Sequence, residues 1–269
     1  MKKMKSISEP GPSGDGVNIV GQFEKVKNVH VNFYDQPLKS IDECIGITMG
    51  ASAIVEDCIF EGAEKIALIG SGDDEWRLAE KYKAVVFKNC TFRRGSRRMP
   101  EVQSGMCCLL LNCLIEDWAE PSRQPCNPFT SRGFGAWAHD SGVIVAINCQ
   151  FRQKTLWKGF WHMLTDVLGH LGNAVNEQGI KAIFNRRSWI PGSLRGLTTT
   201  DLGEVIAIDC IKSHPQIVIE GERVLKLEEK ETDYQLAYDL ATNPEMFVKD
   251  PHLCILLLTL VTDVKRDGK

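Results

Sequence analysis

The sequence predicts an all-β chain wound as a right-handed parallel β-helix, and three observations carry that expectation. Apolar runs ending in Asn-Cys or Asp-Cys recur along the chain, at Asp57-Cys58, Asn89-Cys90, Asn112-Cys113, Asn148-Cys149 and Asp209-Cys210. The corner residues are separated by 32, 23, 36 and 61 residues. An interval in the low twenties is one repeat of a β-solenoid, and the longer ones are that repeat with loop inserted. The intervening stretches have loop chemistry: residues 71–81 are charged, and residues 120–132 carry Pro121, Pro125 and Pro128. At each corner Asn or Asp bends the chain, and its side chain can bond to the backbone of its neighbour in the coils above and below.

Taken in order, residues 1–13 are a flexible lead rich in Pro, Gly and Ser, and the coil domain runs from 14 to 223. Residues 26–33 are a weaker copy of the corner motif. Residues 83–113 hold two successive copies with an arginine-rich turn between them. Residues 154–176 place Leu156, Phe160, Met163, Leu164, Val167, Leu168 and Leu171 near helical spacing, which predicts an amphipathic helix inserted into the coil. Residues 224–269 read as a C-terminal cap, because an open coil end leaves strand edges unpaired.

Coils stacked about 4.8 Å apart pile the corner cysteines on one another. That spacing lies within reach of a disulfide. Free thiols serving as small apolar spacers are the expectation, since free cysteine is among the most buried residue types. The ten cysteines include no Cys-x-x-Cys metal spacing.

A net charge of −3 and a pI near 6.1 give no general attraction to nucleic acid. No run of about 18 apolar residues is present to span a membrane as a helix. The first residues have the lysines of a signal peptide without its apolar region, which reads as a cytoplasmic chain or a mature form.

If Phe60 and Phe92 occupy equivalent positions, Lys65 follows the first by five residues and Arg98 the second by six. Both then project from one corner on successive coils, with Arg93, Arg94 and Arg97 crowding the same turn. A basic groove along a coil suits a linear anionic polymer, whereas an arginine cluster on a turn is otherwise solvated charge. Asp73 and Asp74 read as a solvated turn, and His30, His139, His162, His170, His214 and His252 as structural histidines. Trp76, Trp118 and Trp137 either line the groove for sugar stacking or pack in the coil.

Lys65-Ile66-Ala67-Leu68-Ile69-Gly70, followed by Arg97-Arg98-Met99-Pro100 and then Gln103-Ser104-Gly105, resembles the pectate lyase family of polysaccharide lyases. Asp42-Glu43-Cys44-Ile45-Gly46 and Gly14-Asp15-Gly16 resemble its acidic turns, and the likeness covers residues 14–151 of what would be an N-terminally truncated member. The resemblance implies β-elimination on a uronate polymer, an acidic polysaccharide. Arg98 would take the C5 proton and Lys65 would meet the substrate carboxylate, with Arg94, Arg97 and Gln103 as further substrate contacts. It also implies calcium, held by Asp15 and Asp42. Gln103 replaces an arginine of the family signature, and Ser13 and Gly46 stand where two further acids belong. Two carboxylates leave water and substrate to complete the six to eight oxygens calcium takes. The altered positions also suit a second expectation, a non-catalytic β-helix that binds glycan or serves as a structural or interaction module.

Overall fold

A computed structural model describes residues 4–70, 84–120, 134–154, 194–200 and 202–223. The expected helix at 154–176 beyond Lys154, the cap at 224–269, Asp73, Asp74, Trp76, His162, His170 and His252 lie outside the described residues. The regular structure of the described residues is strand, the one helical element among them being a short 3-10 turn at Leu38–Ser40.

Strand β1 (Lys5–Ile7) comes first. Six three-strand coils follow: β2 (Val17–Val20), β3 (Phe23–Lys27) and β4 (Val29–Asn32); β5 (Glu43–Thr48), β6 (Ser52–Glu56) and β7 (Ile59–Glu61); β8 (Lys65–Ile69), β9 (Ala84–Lys88) and β10 (Thr91–Arg93); β11 (Glu101–Val102), β12 (Cys107–Leu111) and β13 (Leu114–Glu116); β14 (Ala136–Ala138), β15 (Val143–Ile147) and β16 (Gln150–Arg152); β17 (Arg195–Thr199), β18 (Glu204–Ile208) and β19 (Ile211–Lys212). Strands β20 (Val218–Ile219) and β21 (Glu222–Arg223) begin a seventh coil. Every third strand joins the same sheet. The result is three seven-stranded sheets, the first containing β1 and β4, the second β2 and β5, the third β3 and β6, with every pairing parallel. Three parallel sheets visited in strict rotation are consistent with the parallel β-helix expected from the corner motif.

The core fills the space between the sheets in continuous columns. In the first sheet Val31, Phe60, Phe92, Ile115 and Phe151 are in register. In the second the column is Ile19, Ile47, Ile69, Val102 and Ala138, and in the third Val55, Phe87, Leu110, Ala146 and Ala207. All belong to one buried cluster. Each fully buried aliphatic or aromatic side chain contributes about 1.5–3 kcal/mol. Trp118 is 2% exposed and part of this core, so it does not line a groove.

The corners between the third and first sheets explain the repeating motif. Asn28, Asp57, Asn89, Asn112, Asn148 and Asp209 all have φ between 50 and 57°, the left-handed region that Asn and Asp tolerate best after glycine. Their side chains join across coils: Asn89 Nδ2 donates to Asp57 Oδ1 (3.0 Å), Asn112 to Asn89 (3.4 Å) and Asn148 to Asn112 (2.8 Å). The sequence anticipated bonds to neighbouring backbone; the amides instead bond chiefly to one another. The following cysteines are free thiols. Each donates to the carbonyl two residues back and to one in the coil before, as Cys113 does to Leu111 and Phe87, both at 3.4 Å.

The described part of the lead, residues 4–13, differs from the expected flexible segment. Ile7 packs against the core, Lys5 N–H donates to Asn28 O, and β1 pairs with β4, so alternation in Lys5–Ile7 outweighs the turn-forming composition around it.

Candidate functional site

At the corner leading into the second sheet, charged residues stand at strand starts, coil after coil. Asp15 precedes β2, Asp42 precedes β5 and Glu43 opens it, Lys65 opens β8, Arg98 precedes β11 and Glu101 opens it. Parallel register stacks these positions, because Glu43 pairs with Lys65 and Lys65 with Arg97. Sequence spacing made Arg98 the partner of Lys65. Lys65 and Arg97 both lie five residues past the paired Phe60 and Phe92, so the ladder partner is Arg97; the extra residue enters just after it, where Arg98 adopts φ 60° and Glu101 comes to pair with Leu68.

The two cations nevertheless meet on one carboxylate. Arg98 Nη1 donates to Glu43 Oε1 at 2.7 Å, and Lys65 Nζ lies 3.4 Å from the same oxygen while pairing with Asp42. Asp15 Oδ1 accepts from the Glu43 backbone N–H at 3.0 Å. Arg98 Nε and Glu101 Oε2 form an ion pair at 2.9 Å without hydrogen-bond alignment, which leaves both atoms short of a hydrogen-bond partner among the described residues. Glu43 and Glu101 are each 3% exposed.

Burial pushes Glu43 up to about 7, against the pull of Lys65 and Arg98 and with help from Asp42 and Asp15. Burial also works against the Asp42 charge, but Lys65 outweighs it and holds that carboxyl below its usual range. Carboxylate oxygens of Asp15, Asp42 and Glu43 lie within 4.8 Å of one another, a group of hard oxygen donors of the kind divalent cations take. A Cβ at Gly46 would stand 3.5 Å from Asp15 Oδ2, so an acid at that position would join the same group.

The other arginines of the turn are held apart from this centre. Arg97 Nε donates to Glu64 at 3.1 Å. Arg93 and Arg94 both grip Glu61, which is fully buried and also accepts His30 at 2.6 Å, and Arg94 stacks over Tyr34. Burial opposes the charge on Glu61, but Arg93, Arg94 and His30 prevail and draw its pKa down to about 2. The arginine-rich turn is therefore a set of matched ion pairs rather than a bare cationic face. Gln103 Nε2 donates to Gly70 O at 3.1 Å.

One coil beyond Glu101 lies His139, its Nε2 3.2 Å from Glu101 and its Nδ1 2.8 Å from Asp140. Its ring stacks on Trp137 at 4.2 Å between centroids. Glu43, Glu61, Glu101 and His139 were not singled out as site residues from the sequence. The Glu61–Arg93 pair had a usable signal, since it falls in register one residue past Phe60–Phe92. No protein-family model, no curated protein and no solved structure matches this chain.

Proposed function

We propose that this protein is a right-handed parallel β-helix whose flank binds an acidic, uronate-type polysaccharide and cleaves it by β-elimination. The observation that carries the reading is the convergence of Lys65 and Arg98 on Glu43 beside Asp15 and Asp42. The right hand follows the general rule for crossovers between parallel strands of one sheet. In the reaction a base takes the C5 proton, a C4–C5 double bond forms, and the C4–O bond breaks as the 4-linked sugar leaves. Arg98 takes the proton. A guanidinium, with a pKa above about 12, has no free electron pair to accept it, so Arg98 must first give up a proton and act as the neutral guanidine. Glu43, 2.7 Å from Nη1, is the group that can receive it. Lys65 meets the substrate carboxylate, with Arg94, Arg97 and Gln103 as outlying contacts. Asp15 and Asp42, with Glu43, would hold a calcium ion, which when bound supplies positive charge against the substrate carboxylate.

The ion-paired state of the arginines favours a second reading, a β-helix that binds glycan without turnover. Incubation with polygalacturonate and calcium, following absorbance of the unsaturated product, separates the two. Turnover that Arg98→Ala lowers by at least about a hundredfold supports the lyase. Glycan binding without turnover on several uronates supports the second reading, and absence of both overturns both.

A further inference from the structure

We propose that His139 is a positioning residue for this site: clamped between two carboxylates and stacked on Trp137, it fixes Glu101, and through Glu101 the guanidinium of Arg98. The inference rests on the reading of Arg98 as the reacting cation.

The geometry constrains His139 from every side. Its N–H donates to Val102 O at 3.0 Å, and its carbonyl accepts from Gly142 at 2.8 Å, so its backbone is tied to the coil before it and to its own turn. The Trp137 ring stacked on it is itself held, because the indole N–H donates to Thr200 Oγ1 at 3.0 Å. Both ring nitrogens face carboxylates, Glu101 at 3.2 Å and Asp140 at 2.8 Å. A neutral imidazole has one N–H, so both contacts are hydrogen bonds only in the cation. Burial works against that charge, yet Glu101 and then Asp140 outweigh it and raise the His139 pKa.

Among the described residues, the charged groups around the ring are Glu101, Asp140 and, through Glu101, Arg98. Glu220 serves Thr198 and Thr199 instead. Glu101 thus stands between His139 on Oε1 and Arg98 on Oε2, while Glu43 holds the other side of the guanidinium. When His139 loses its proton it keeps one N–H for two carboxylates, so Glu101 is held less firmly, and with it Arg98 Nε.

The test reads the Arg98 side-chain Nε–H by NMR on protein labelled at arginine nitrogen, with no substrate present. In the wild type this resonance should shift with pH through two inflections, one from Glu43 near 7 that Glu43→Gln removes, and one above 6.5, the ordinary histidine value, that matches that of the His139 ring. The second should vanish in His139→Gln and move downward in Glu101→Gln. An Arg98 resonance that ignores His139→Gln, in protein whose circular dichroism stays native, overturns the proposal. Should that variant fail to fold, Asp140→Asn serves: the His139 inflection should fall and the Arg98 signal should follow it, and an Arg98 signal that stays put overturns the proposal equally. Because none of these signals needs turnover, failure of the lyase assay leaves this test standing, and failure here leaves the lyase assay untouched.

Discussion

Asn112 meets two demands of a corner at once. Its φ of 52° turns the chain from the third sheet into the first. Its amide donates to Asn89 and accepts from Asn148, so the side chain stitches three coils together. Cys113 follows because the position inside the corner has room for a small apolar group and offers carbonyls to a weak donor. Aspartate can replace asparagine at Asp57, the end of the amide ladder among the described residues, where the side chain has only to accept from Asn89. In the middle, an acceptor-only carboxylate would face another acceptor. Replacing Asn112 by alanine should lose both contributions and cost about 1–3 kcal/mol. Replacing it by glycine keeps the left-handed conformation and should cost less. Urea midpoints of the two variants check this, and equal losses would exclude backbone conformation as the cause.

At the scale of elements, the three strands of each coil differ in how plainly the sequence announces them. Third-sheet strands such as β12 and β15 are runs of five buried residues and end at the corner motif, so they are legible from composition alone. The first-sheet strands are short, but Phe60 and Phe92 mark their register, and the rings stack with centroids 5.7 Å apart. Phe87 meets Phe92 edge-on at 5.1 Å and ties the first sheet to the third. Phe92→Ala should therefore cost about 3–5 kcal/mol and Phe92→Leu clearly less, measured by chemical unfolding. Similar losses for both would mean that the ring contacts matter more than the filled volume.

The second sheet was the least legible, and the candidate site lies at its edge. Strand β11 has two residues, too few for any periodicity. Lys65 and Arg97 each lie five residues past their aromatic landmarks and pair, but Leu68 lies eight past Phe60 and its partner Glu101 nine past Phe92, so one extra residue enters the strand start at Arg98. That is why Lys65 and Arg98 were foreseen near each other while the carboxylate joining them was not. Glu43 and Glu101 look like solvated charge in sequence, because what buries them is a neighbouring coil 20 or more residues away.

For the whole molecule, continuous register lets charges form ladders as well as apolar side chains, and two buried carboxylates then control how stability varies with pH. Glu61 titrates at about 2 in the folded chain against an ordinary 4.5, so its contribution is complete above 4.5 and is lost as pH falls through 2. Glu43 has the opposite sign. Its pKa rises from 4.5 to about 7, so the folded state binds more protons between those values, and stability falls as pH increases across them. His139 adds to the same descent only above 6.5, where the unfolded imidazole begins to lose its proton. The interval from 4.5 to 6.5 therefore isolates Glu43 among these three groups. Urea midpoints taken across it, in buffer containing a chelator, should fall with rising pH by no more than about 1.4 kcal/mol per unit. The chelator matters because a divalent cation at Asp15, Asp42 and Glu43 would hold Glu43 ionised and flatten the curve. Glu43→Gln should abolish the slope while leaving the acid limb governed by Glu61 intact. An unchanged slope in that variant would mean that Glu43 ionises normally, and that the proton leaving Arg98 has no carboxylate of raised pKa to receive it.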